Sequence, residues 1–222
     1  AYLEAGADFL KTNTFGANAR KLGGKAEVEE VFRAAVGCAR RAGARYVAAD
    51  IGPIGALLRP MGTLSFAEAY GLFAQQARAA ERAGADLFII ETMTDLAEIK
   101  AAVLACRENT DLPIVATMTF EEDGRTFLGT SPEVAAVTLD ALGVEALGIN
   151  CSLGPAELRG LAKRMLAVTA KPVIVQANAG LPHVEDGRTV YGIDPRAYAA
   201  AVAEMVSDGV SIVGGCCGTT PE

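Results

Sequence analysis

A repeated junction between helix and strand is the sequence feature that most constrains how this chain can fold. Short motifs in which a glycine precedes an apolar run recur along the 222 residues, with the glycine at Gly6, Gly43, Gly84, Gly143 and Gly209. Glycine readily adopts the left-handed conformation that ends many helices, so each motif predicts a helix end followed at once by a strand. The chain is therefore predicted to alternate helices and strands.

The apolar runs after these glycines and between the helices predict seven strands. They lie at about residues 7–13, 45–51, 86–91, 113–119, 145–150, 172–177 and 210–215. Continuous apolar strands that alternate with helices are typical of a parallel sheet covered by helices, and the regular repeat favours a (β/α)8 TIM-type barrel over an open sheet. Because the chain begins at a helix end and stops at a helix N-cap, we expect a first strand upstream and a last helix downstream of a single barrel domain, residues 1–222.

Composition and charge exclude several classes of function. The net charge is −7, and the absence of a Lys/Arg cluster argues against binding to nucleic acid. No apolar run reaches the roughly 18 residues that span a bilayer. Five cysteines without a closely spaced framework are typical of a reducing compartment. We therefore expect a cytoplasmic protein with neither a membrane nor a nucleic acid as partner.

Three cysteines follow two of the predicted strands. Cys151 stands in Gly-Ile-Asn-Cys-Ser-Leu-Gly-Pro, and Cys216 and Cys217 stand in Gly-Gly-Cys-Cys-Gly-Thr-Thr-Pro-Glu. Neighbouring strand residues point to opposite faces, so two adjacent thiols reach one metal only where the backbone bends, and the flanking glycines permit a bend. Three thiolates that leave a fourth tetrahedral position open are typical of catalytic zinc. The pattern predicts a zinc site that activates a soft thiol substrate.

Other interpretations of these residues stay open. The three cysteines could be buried thiols, which is what we expect of Cys38 and Cys106 in their helical patterns, or the adjacent pair could form a disulfide. A non-catalytic barrel with a structural zinc is an alternative from another class, and a metal-free barrel with Lys11 as a Schiff-base lysine is a third. His183, the single histidine, lies in a polar segment and is expected to be a solvated loop residue.

Polar residues also follow the other predicted strands. In a TIM-type barrel the carboxyl ends of all strands form one rim. The predicted rim contains, besides the cysteines, Thr12, Asn13, Asp50, Gly52, Glu91, Thr92, Thr117, Thr119, Asn150 and Asn178.

Five stretches of the chain resemble a known family. They are Thr-Asn-Thr-Phe-Gly-Ala at 12–17, Asp-Ile-Gly-Pro at 50–53, Gly-Ile-Asn-Cys-Ser-Leu-Gly-Pro at 148–155, Asn-Ala-Gly-Leu-Pro at 178–182 and Gly-Gly-Cys-Cys-Gly-Thr-Thr-Pro-Glu at 214–222. In them the chain resembles the homocysteine S-methyltransferases, and most closely the homocysteine-binding module of the cobalamin-dependent methionine synthase branch. The resemblance covers essentially the whole chain.

The resemblance implies a particular metal site and substrate. Zinc would be bound by Cys151, Cys216 and Cys217, with the thiol of homocysteine in the open position. Asn178 could supply its carbonyl oxygen to zinc when substrate is absent, although an Asx turn explains that residue equally well. Homocysteine would thereby become a thiolate that accepts a methyl group and gives methionine.

Substrate-binding residues and the methyl donor follow from the same resemblance. It implies that Glu91 accepts the amino group of homocysteine, where the alternative is a carboxylate at a helix N-terminus; Asn150 and Thr119 are further predicted substrate-binding residues on the rim. The implied donor is methylcobalamin on a separate corrinoid domain, recharged from 5-methyltetrahydrofolate on a folate-binding domain. Relatives that use betaine or S-methylmethionine share the cysteine pattern, and fusion to a reductase domain is a further possibility that stays open.

Overall fold

The structure of the chain is a computed structural model that describes residues 1–185 and 187–222. It divides into two compact units, unit 1 at Ala1–Ala116 and unit 2 at Thr117–Glu222. Across the described residues, every helix is too short or too polar to cross a membrane. Each unit alternates strands with helices, which confirms the predicted α/β class.

Unit 1 is built on parallel strands. Its elements are β1 (Phe9–Lys11), α1 (Ala19–Leu22), α2 (Val28–Arg41), β2 (Tyr46–Ile51), α3 (Phe66–Ala83), β3 (Leu87–Met93), α4 (Leu96–Asn109) and the start of β4 (Ile114–Met118). β1 pairs with β2 with Leu10 opposite Val47, and β2 pairs with β3 with Asp50 opposite Ile89. The two pairings are parallel, as the sequence predicts.

Helix α3 of unit 1 begins and ends at capping residues. The Ser65 side chain accepts a hydrogen bond from the Glu68 N–H at the start of α3, while the Glu68 carboxylate accepts one from the Ser65 N–H at 2.9 Å. This reciprocal capping satisfies two backbone donors that a helix start otherwise leaves without partners. α3 ends at Gly84, whose φ of 84° lies in the left-handed region. The aromatic core residues Phe32, Phe73 and Phe88 are fully buried.

Unit 2 continues the same alternation and adds a hairpin. After the end of β4 come α5 (Pro132–Ala141), β5 (Ala146–Asn150), α6 (Pro155–Leu166), β6 (Val173–Ala177), β7 (Pro182–Glu185), β8 (Arg188–Tyr191), α7 (Pro195–Ser207) and β9 (Ile212–Gly215). β6 lies between β5 and β9 and pairs in parallel with both. At Gly148 in β5 a Cβ atom would lie 1.8 Å from the Ile174 carbonyl oxygen of β6, so only glycine fits.

The sequence did not predict the β7–β8 hairpin. The segment around His183 is an antiparallel pair in which His183 lies opposite Val190. His183 is exposed, as expected, and its Nε2 lies 3.1 Å from an oxygen of Glu185. The Asp-Gly pair at 186–187 is a typical hairpin signal, but both strands are largely exposed and lack the apolar runs that predicted the other strands.

The expectation of buried thiols in the helices is confirmed for one cysteine and wrong for the other. Cys106 in α4 is fully buried, and burial raises the pKa of its thiol. Cys38 in α2 is exposed, and Arg41 donates a hydrogen bond to its sulfur at 3.1 Å. The buried stripe of α2 consists of Val28, Phe32, Val36 and Ala39. Cys38 lies beside that stripe and not on it.

Candidate metal centre

The thiols of Cys151, Cys216 and Cys217 come together in unit 2. Their sulfur atoms all lie within 4.8 Å of one another, and the Sγ atoms of Cys151 and Cys217 are 3.9 Å apart. A tetrahedral zinc with Zn–S bonds of about 2.3 Å separates two sulfur ligands by about 3.8 Å. The spacing and the soft donor set therefore fit zinc.

Cys151 leaves β5 through an unusual backbone conformation. Its φ is 64° and that of Ser152 is 63°, so two consecutive residues other than glycine are left-handed. Such residues cost on the order of 1–3 kcal/mol each and persist only where the surrounding structure holds them. Here the Cys151 N–H donates to the Gln176 carbonyl at 3.0 Å, and the Leu153 N–H donates back to the Cys151 carbonyl at 2.8 Å. The sharp turn brings the Cys151 sulfur to the other two.

The adjacent cysteines reach one site because the chain turns directly after β9. The Cys216 N–H still pairs with the Ala177 carbonyl of β6 at 2.8 Å. The Thr219 hydroxyl then donates to the Cys216 carbonyl at 2.8 Å, and Gly218 between them has a φ of 79°. The predicted bend at the cysteine pair is therefore present, with its left-handed residue at Gly218.

Two glycines of this segment are needed for space. A Cβ atom on Gly215 would lie 2.1 Å from the Thr219 hydroxyl oxygen, and one on Gly218 would lie 2.2 Å from Cγ of Tyr191. The Gly218 backbone thus lies directly against the Tyr191 ring, at the end of β8. The tight packing of turn and hairpin explains why glycines flank the cysteine pair.

Hydrogen bonds make the three thiols unequal. A hydrogen bond from Cys216, helped by the Ser152 N–H, Cys217 and Asn178, lowers the pKa of Cys151 to about 6 despite the opposing effect of burial. Burial and the negative charge of Cys151 raise the pKa of Cys217. The metal-free cluster therefore favours one thiolate, on Cys151, with its neighbours as donors.

Asn178 and Asn150, both predicted site residues, contact the cysteines. The Oδ1 atom of Asn178 accepts a hydrogen bond from the Cys217 N–H at 3.0 Å, and its side chain helps to lower the pKa of Cys151. Asn150 is fully buried, with its Nδ2 atom 3.9 Å from the Cys216 sulfur. In this conformation both amides support the thiols, while their predicted roles toward zinc and substrate stay predictions.

Threonines at the end of β4 hold Asn150 in turn. The Thr117 hydroxyl donates to Asn150 Oδ1 at 2.7 Å, which leaves the Nδ2 donors of the amide directed toward Cys216. The Thr119 hydroxyl donates to the Asn150 carbonyl at 2.9 Å. Thr119 is buried, and its predicted substrate contact also stays a prediction.

Two tyrosines of the site were not predicted from the sequence. The Tyr198 hydroxyl of α7 lies 3.0 Å from the Ala177 carbonyl and 2.9 Å from the Gly214 carbonyl, so it bridges the ends of β6 and β9. Burial raises the pKa of Tyr198 to about 12. The ring of Tyr191 lies against Gly218, the residue that follows Cys217. Neither contact has a local sequence signal, since both tyrosines are brought to the cysteines by tertiary packing.

Glu91, the predicted binder of the substrate amino group, belongs to a buried charged cluster of unit 1. Its carboxylate accepts hydrogen bonds from Lys11 at 2.8 and 3.0 Å. An ammonium held by a carboxylate is not the neutral amine that a Schiff-base lysine requires, which argues against the metal-free alternative with Lys11. Thr92, next to Glu91, has a left-handed φ of 63°.

Asp50 completes that cluster. Its Oδ1 atom is buried without a hydrogen-bond partner among the described residues, while its backbone N–H donates to the Thr12 hydroxyl at 3.0 Å. Burial, reinforced by the negative charge of Glu91, raises the pKa of Asp50 to about 8, against the opposing charge of Lys11. This raised pKa favours the protonated, uncharged form of Asp50 at neutral pH.

The sequence comparison identifies the class of protein to which this fold and site belong. The homocysteine S-methyltransferase family profile matches residues 1–222, and the chain belongs to that family. The resemblance noted in the sequence is therefore confirmed. Two methionine synthases are similar to it, one from Mycobacterium tuberculosis (strain ATCC 25618 / H37Rv) with 35% identity over 99% of this chain, and one from Mycobacterium leprae (strain TN) with 34% identity over 100% of it. The chain spans about one fifth of these relatives, 20% of each.

Solved structures support the fold. The metallated form of the homocysteine methyltransferase MmuM from Escherichia coli matches with a TM-score of 0.82 and 23% identity, over 99% of this chain and 78% of that one. Its oxidized form matches with a TM-score of 0.80 and 22% identity, again over 99% of this chain and 78% of that one. The predicted fold class, a TIM-type (β/α) barrel, is confirmed by this likeness.

Proposed function

We propose that this chain is a zinc-dependent module that activates homocysteine for methylation to methionine. Cys151, Cys216 and Cys217 would hold the metal, and the fourth position would receive the sulfur of homocysteine. The observation that carries the proposal is the 3.9 Å separation of the Cys151 and Cys217 sulfurs, which fits two corners of a zinc tetrahedron. Family membership over residues 1–222 supports the choice of substrate.

The chain's own residues would prepare the site for this chemistry. Zinc, when bound, lowers the pKa of a coordinated thiol and so keeps the substrate sulfur deprotonated. Asn150 and Asn178 would hold Cys216 and Cys151 in place, and the left-handed turn at Cys151 would keep its sulfur directed inward. The three cysteines would be deprotonated in the loaded site, since a coordinating thiol loses its proton.

In the proposed reaction the sulfur of homocysteine attacks the methyl carbon of a donor. A sulfur–carbon bond forms, and the bond between the methyl group and the donor breaks with its electron pair left on the donor. The thiol proton is released to solvent when homocysteine binds. In-line displacement of this kind requires positioning more than acid or base catalysis.

Substrate recognition is the second part of the proposal. Glu91 would bind the ammonium group of homocysteine. Since its carboxylate is paired with Lys11 at 2.8 Å in unit 1, the substrate ammonium would replace Lys11 or share the carboxylate with it. Asn150 and Thr119 would contact the substrate beside the metal, and Asn178 would bind zinc through Oδ1 when substrate is absent. Its Oδ1 atom accepts one hydrogen bond, from the Cys217 N–H, which leaves a second lone pair for this role.

The donor and the partners are proposed from the relatives. Similarity to methionine synthases that are about five times as long, with 20% of each covered by this chain, supports methylcobalamin on a separate corrinoid domain, recharged from 5-methyltetrahydrofolate. Homocysteine and these domains would be the partners of a single barrel domain over residues 1–222. We place this chemistry in the cytoplasm.

Zinc-edge X-ray absorption with and without homocysteine tests the proposal. We expect three sulfur neighbours per zinc in the purified chain and four after homocysteine is added. Cys38→Ser is the matched control, because Cys38 is an exposed thiol of unit 1, and it should leave both counts unchanged. Cys151→Ser should remove one sulfur from each count.

Other results would contradict the proposal in distinct ways. Three sulfurs that never become four would indicate a structural zinc in a non-catalytic barrel. The absence of stoichiometric zinc would refute the mechanism. If zinc and homocysteine bind, methyl transfer assayed with methylcobalamin, betaine and S-methylmethionine in turn then identifies the donor.

A further inference from the structure

The buried charged cluster of unit 1 contains two carboxyl groups and one ammonium group. Glu91 and Asp50 supply the carboxyls, and Lys11 supplies the ammonium. We propose that Asp50 is a specificity-determining residue, which supplies the second negative charge of this cluster when the ammonium group of homocysteine binds at Glu91. This inference rests on the proposed function, since it takes Glu91 as the residue that binds the substrate ammonium.

The register of β1, β2 and β3 places the three side chains on one face of the sheet. Lys11 lies opposite Ala48, and Asp50 lies opposite Ile89. Paired residues of neighbouring strands face the same way, as do residues two apart along one strand. Lys11, Asp50 and Glu91 therefore share a face, with Asp50 on the strand between the two members of the ion pair.

The ion pair of Lys11 and Glu91 crosses β2 on that face. Since neighbouring strands lie about 4.8 Å apart, β1 and β3 are separated by about 9.6 Å. The Lys11 side chain spans this gap and brings its Nζ atom within 2.8 Å of the Glu91 carboxylate. Asp50 is the charged residue of β2. A second cation that joins Lys11 at Glu91 would therefore have Asp50 as a second carboxyl.

Asp50 has an acceptor oxygen available for such a cation. The residue is 6% exposed, and its Oδ1 atom has no hydrogen-bond partner among the described residues. Its backbone is held firmly, since the Thr14 hydroxyl donates to the Asp50 carbonyl at 2.7 Å and the Asp50 N–H donates to the Thr12 hydroxyl at 3.0 Å. Buried acceptors are nearly always bonded, so this oxygen points to a ligand that carries N–H donors.

The charge of the cluster changes when an ammonium group enters it. In the free chain, burial and the charge of Glu91 raise the pKa of Asp50 to about 8, so the ion pair and a protonated Asp50 carry no net charge together. The substrate ammonium adds one positive charge, and an uncompensated buried charge is costly. Its entry therefore favours release of the Asp50 proton to solvent, which leaves two carboxylates for two ammonium groups.

The charged groups that surround Asp50 are Glu91 on β3 and Lys11 on β1. Helix α2 also packs against β2. It contributes no charge there, because its buried residues are the apolar Val28, Phe32, Val36 and Ala39. The proton released on binding is therefore assigned to Asp50.

The test counts the protons released when homocysteine binds to the zinc-loaded chain at about pH 6.5, where a free thiol with a pKa of about 8.5 is protonated. Isothermal titration calorimetry in buffers of different ionisation enthalpy gives this number. We expect about two protons for the parent chain, from the substrate thiol and from Asp50, and about one for Asp50→Asn. Asp8→Asn is the matched control, because Asp8 is exposed in unit 1, and it should behave like the parent chain.

4-Mercaptobutyrate, which is homocysteine without its amino group, separates this role from a structural one. It keeps the thiol and the carboxylate but brings no ammonium group to Glu91. It should therefore release about one proton from the parent chain and from Asp50→Asn, and bind both with the same affinity. Homocysteine should bind Asp50→Asn at least about 10-fold more weakly than the parent chain, because one ammonium group then lacks its carboxylate. Equal weakening of both ligands would refute the inference, since it would mean a merely structural Asp50.

The outcomes distinguish this inference from the proposed function. If the parent chain binds homocysteine but releases a single proton, or if Asp50→Asn matches the parent chain in proton count and affinity, the role of Asp50 is refuted and the proposed function stands. If the zinc-loaded parent chain binds no homocysteine, both are refuted.

Discussion

Gly148 shows how one residue without a side chain decides the geometry of the site. It lies in β5, three positions before Cys151, and the Ile174 carbonyl oxygen occupies the place where a Cβ atom would be, 1.8 Å away. β5 and β6 are therefore in close contact directly before the turn that carries Cys151. A side chain here would have to push the two strands apart.

Gly148→Ala should therefore be strongly destabilising. Overpacking a close contact typically costs about 1–3 kcal/mol, and a clash with backbone should cost at least the upper end of that range. Urea unfolding of the metal-free chain measures the change. Gly160→Ala in α6 is the control, because nothing lies within 4 Å of its Cβ position, and there alanine should stabilise the helix by about 0.5–1 kcal/mol. Equal stabilities of the two variants would contradict the close contact.

Asp50 predicts a pH dependence of stability. Its pKa is raised to about 8 in the folded chain, whereas an unfolded aspartate titrates near 3.9. Between these values the folded state binds one more proton than the unfolded state, so the free energy of unfolding falls as pH rises and levels off above about 8. The slope should reach at most about 1.4 kcal/mol per pH unit.

Asp50→Asn isolates this effect, because it keeps an uncharged side chain at every pH. Urea unfolding at pH 5 and pH 8 should show a loss of stability in the parent chain and a smaller loss in the variant. Glu91 and Lys11, the charged neighbours of Asp50, are present in both proteins. A parent chain as stable at pH 8 as at pH 5 would contradict a buried, protonated Asp50.

At the scale of elements, the sequence predicts the strands because each is a continuous apolar run between a glycine and a polar end. β5 is predicted at 145–150 and lies at Ala146–Asn150. β1 is shorter than predicted, Phe9–Lys11. The Thr12 N–H still donates to the Ala48 carbonyl of β2 at 2.9 Å, but beyond it side chains contact β2 in place of the backbone. The Thr14 hydroxyl, for example, donates to the Asp50 carbonyl at 2.7 Å. The hairpin was missed because its strands carry no buried face.

In the site, too, residues recognisable from the local sequence were predicted, and residues that reach the site only through tertiary packing were not. The three cysteines are recognisable by residue type and by their positions after apolar runs. Tyr191 and Tyr198 are not, because what they touch depends on where the hairpin and α7 pack. The cluster of Lys11 and Asp50 around Glu91 was not predicted as a unit either, although Asp50 and Glu91 were both expected at strand ends.

Tyr198 connects α7 with two strands, and its loss should weaken zinc binding at the proposed site. Its hydroxyl lies within 3.0 Å of the carbonyls of Ala177 and Gly214, which precede Asn178 and Cys216 closely. Tyr198→Phe leaves these carbonyls without that partner, so we expect a loss of about 1–3 kcal/mol in the free energy of unfolding and a weaker zinc affinity. Tyr70→Phe is the control, since the Tyr70 hydroxyl donates to Glu108 at the surface of unit 1.

The measurement for Tyr198 combines urea unfolding with chelator competition. A loss of stability without any change in zinc affinity would show that the bridge supports the helix and not the cysteine turn. A change in neither quantity would contradict the bridge itself.

At the scale of the whole molecule, the cysteines and their partners lie within unit 2, Thr117–Glu222. Unit 1, Ala1–Ala116, carries Glu91 and its charged neighbours. The three cysteines and the charged cluster thus belong to different units of the chain.

Zinc should therefore protect the chain unevenly. A ligand that binds only the folded state stabilises it by about 4 kcal/mol at 1,000 times its dissociation constant, and local protection is greatest where it binds. Hydrogen exchange measured by mass spectrometry, with zinc and after chelation, should slow at the ends of β5, β6 and β9 and stay unchanged in β2. Magnesium, which prefers oxygen ligands, is the control. It should slow hydrogen exchange neither at the ends of β5, β6 and β9 nor in β2. Equal slowing in β2 and β9 would contradict a site confined to unit 2.

The position of β6 has a consequence for engineering this chain. Neighbouring strands lie about 4.8 Å apart, and the strands that precede the cysteines, β5 and β9, are separated by β6, which is followed by no cysteine. β6 nevertheless supplies the carbonyls of Gln176 and Ala177 that anchor Cys151 and Cys216. A single-residue deletion in β6 would move every following side chain of that strand to the opposite face of the sheet. Mutant libraries that aim at new thiol substrates should therefore keep the length of β6 fixed and vary the loops around it.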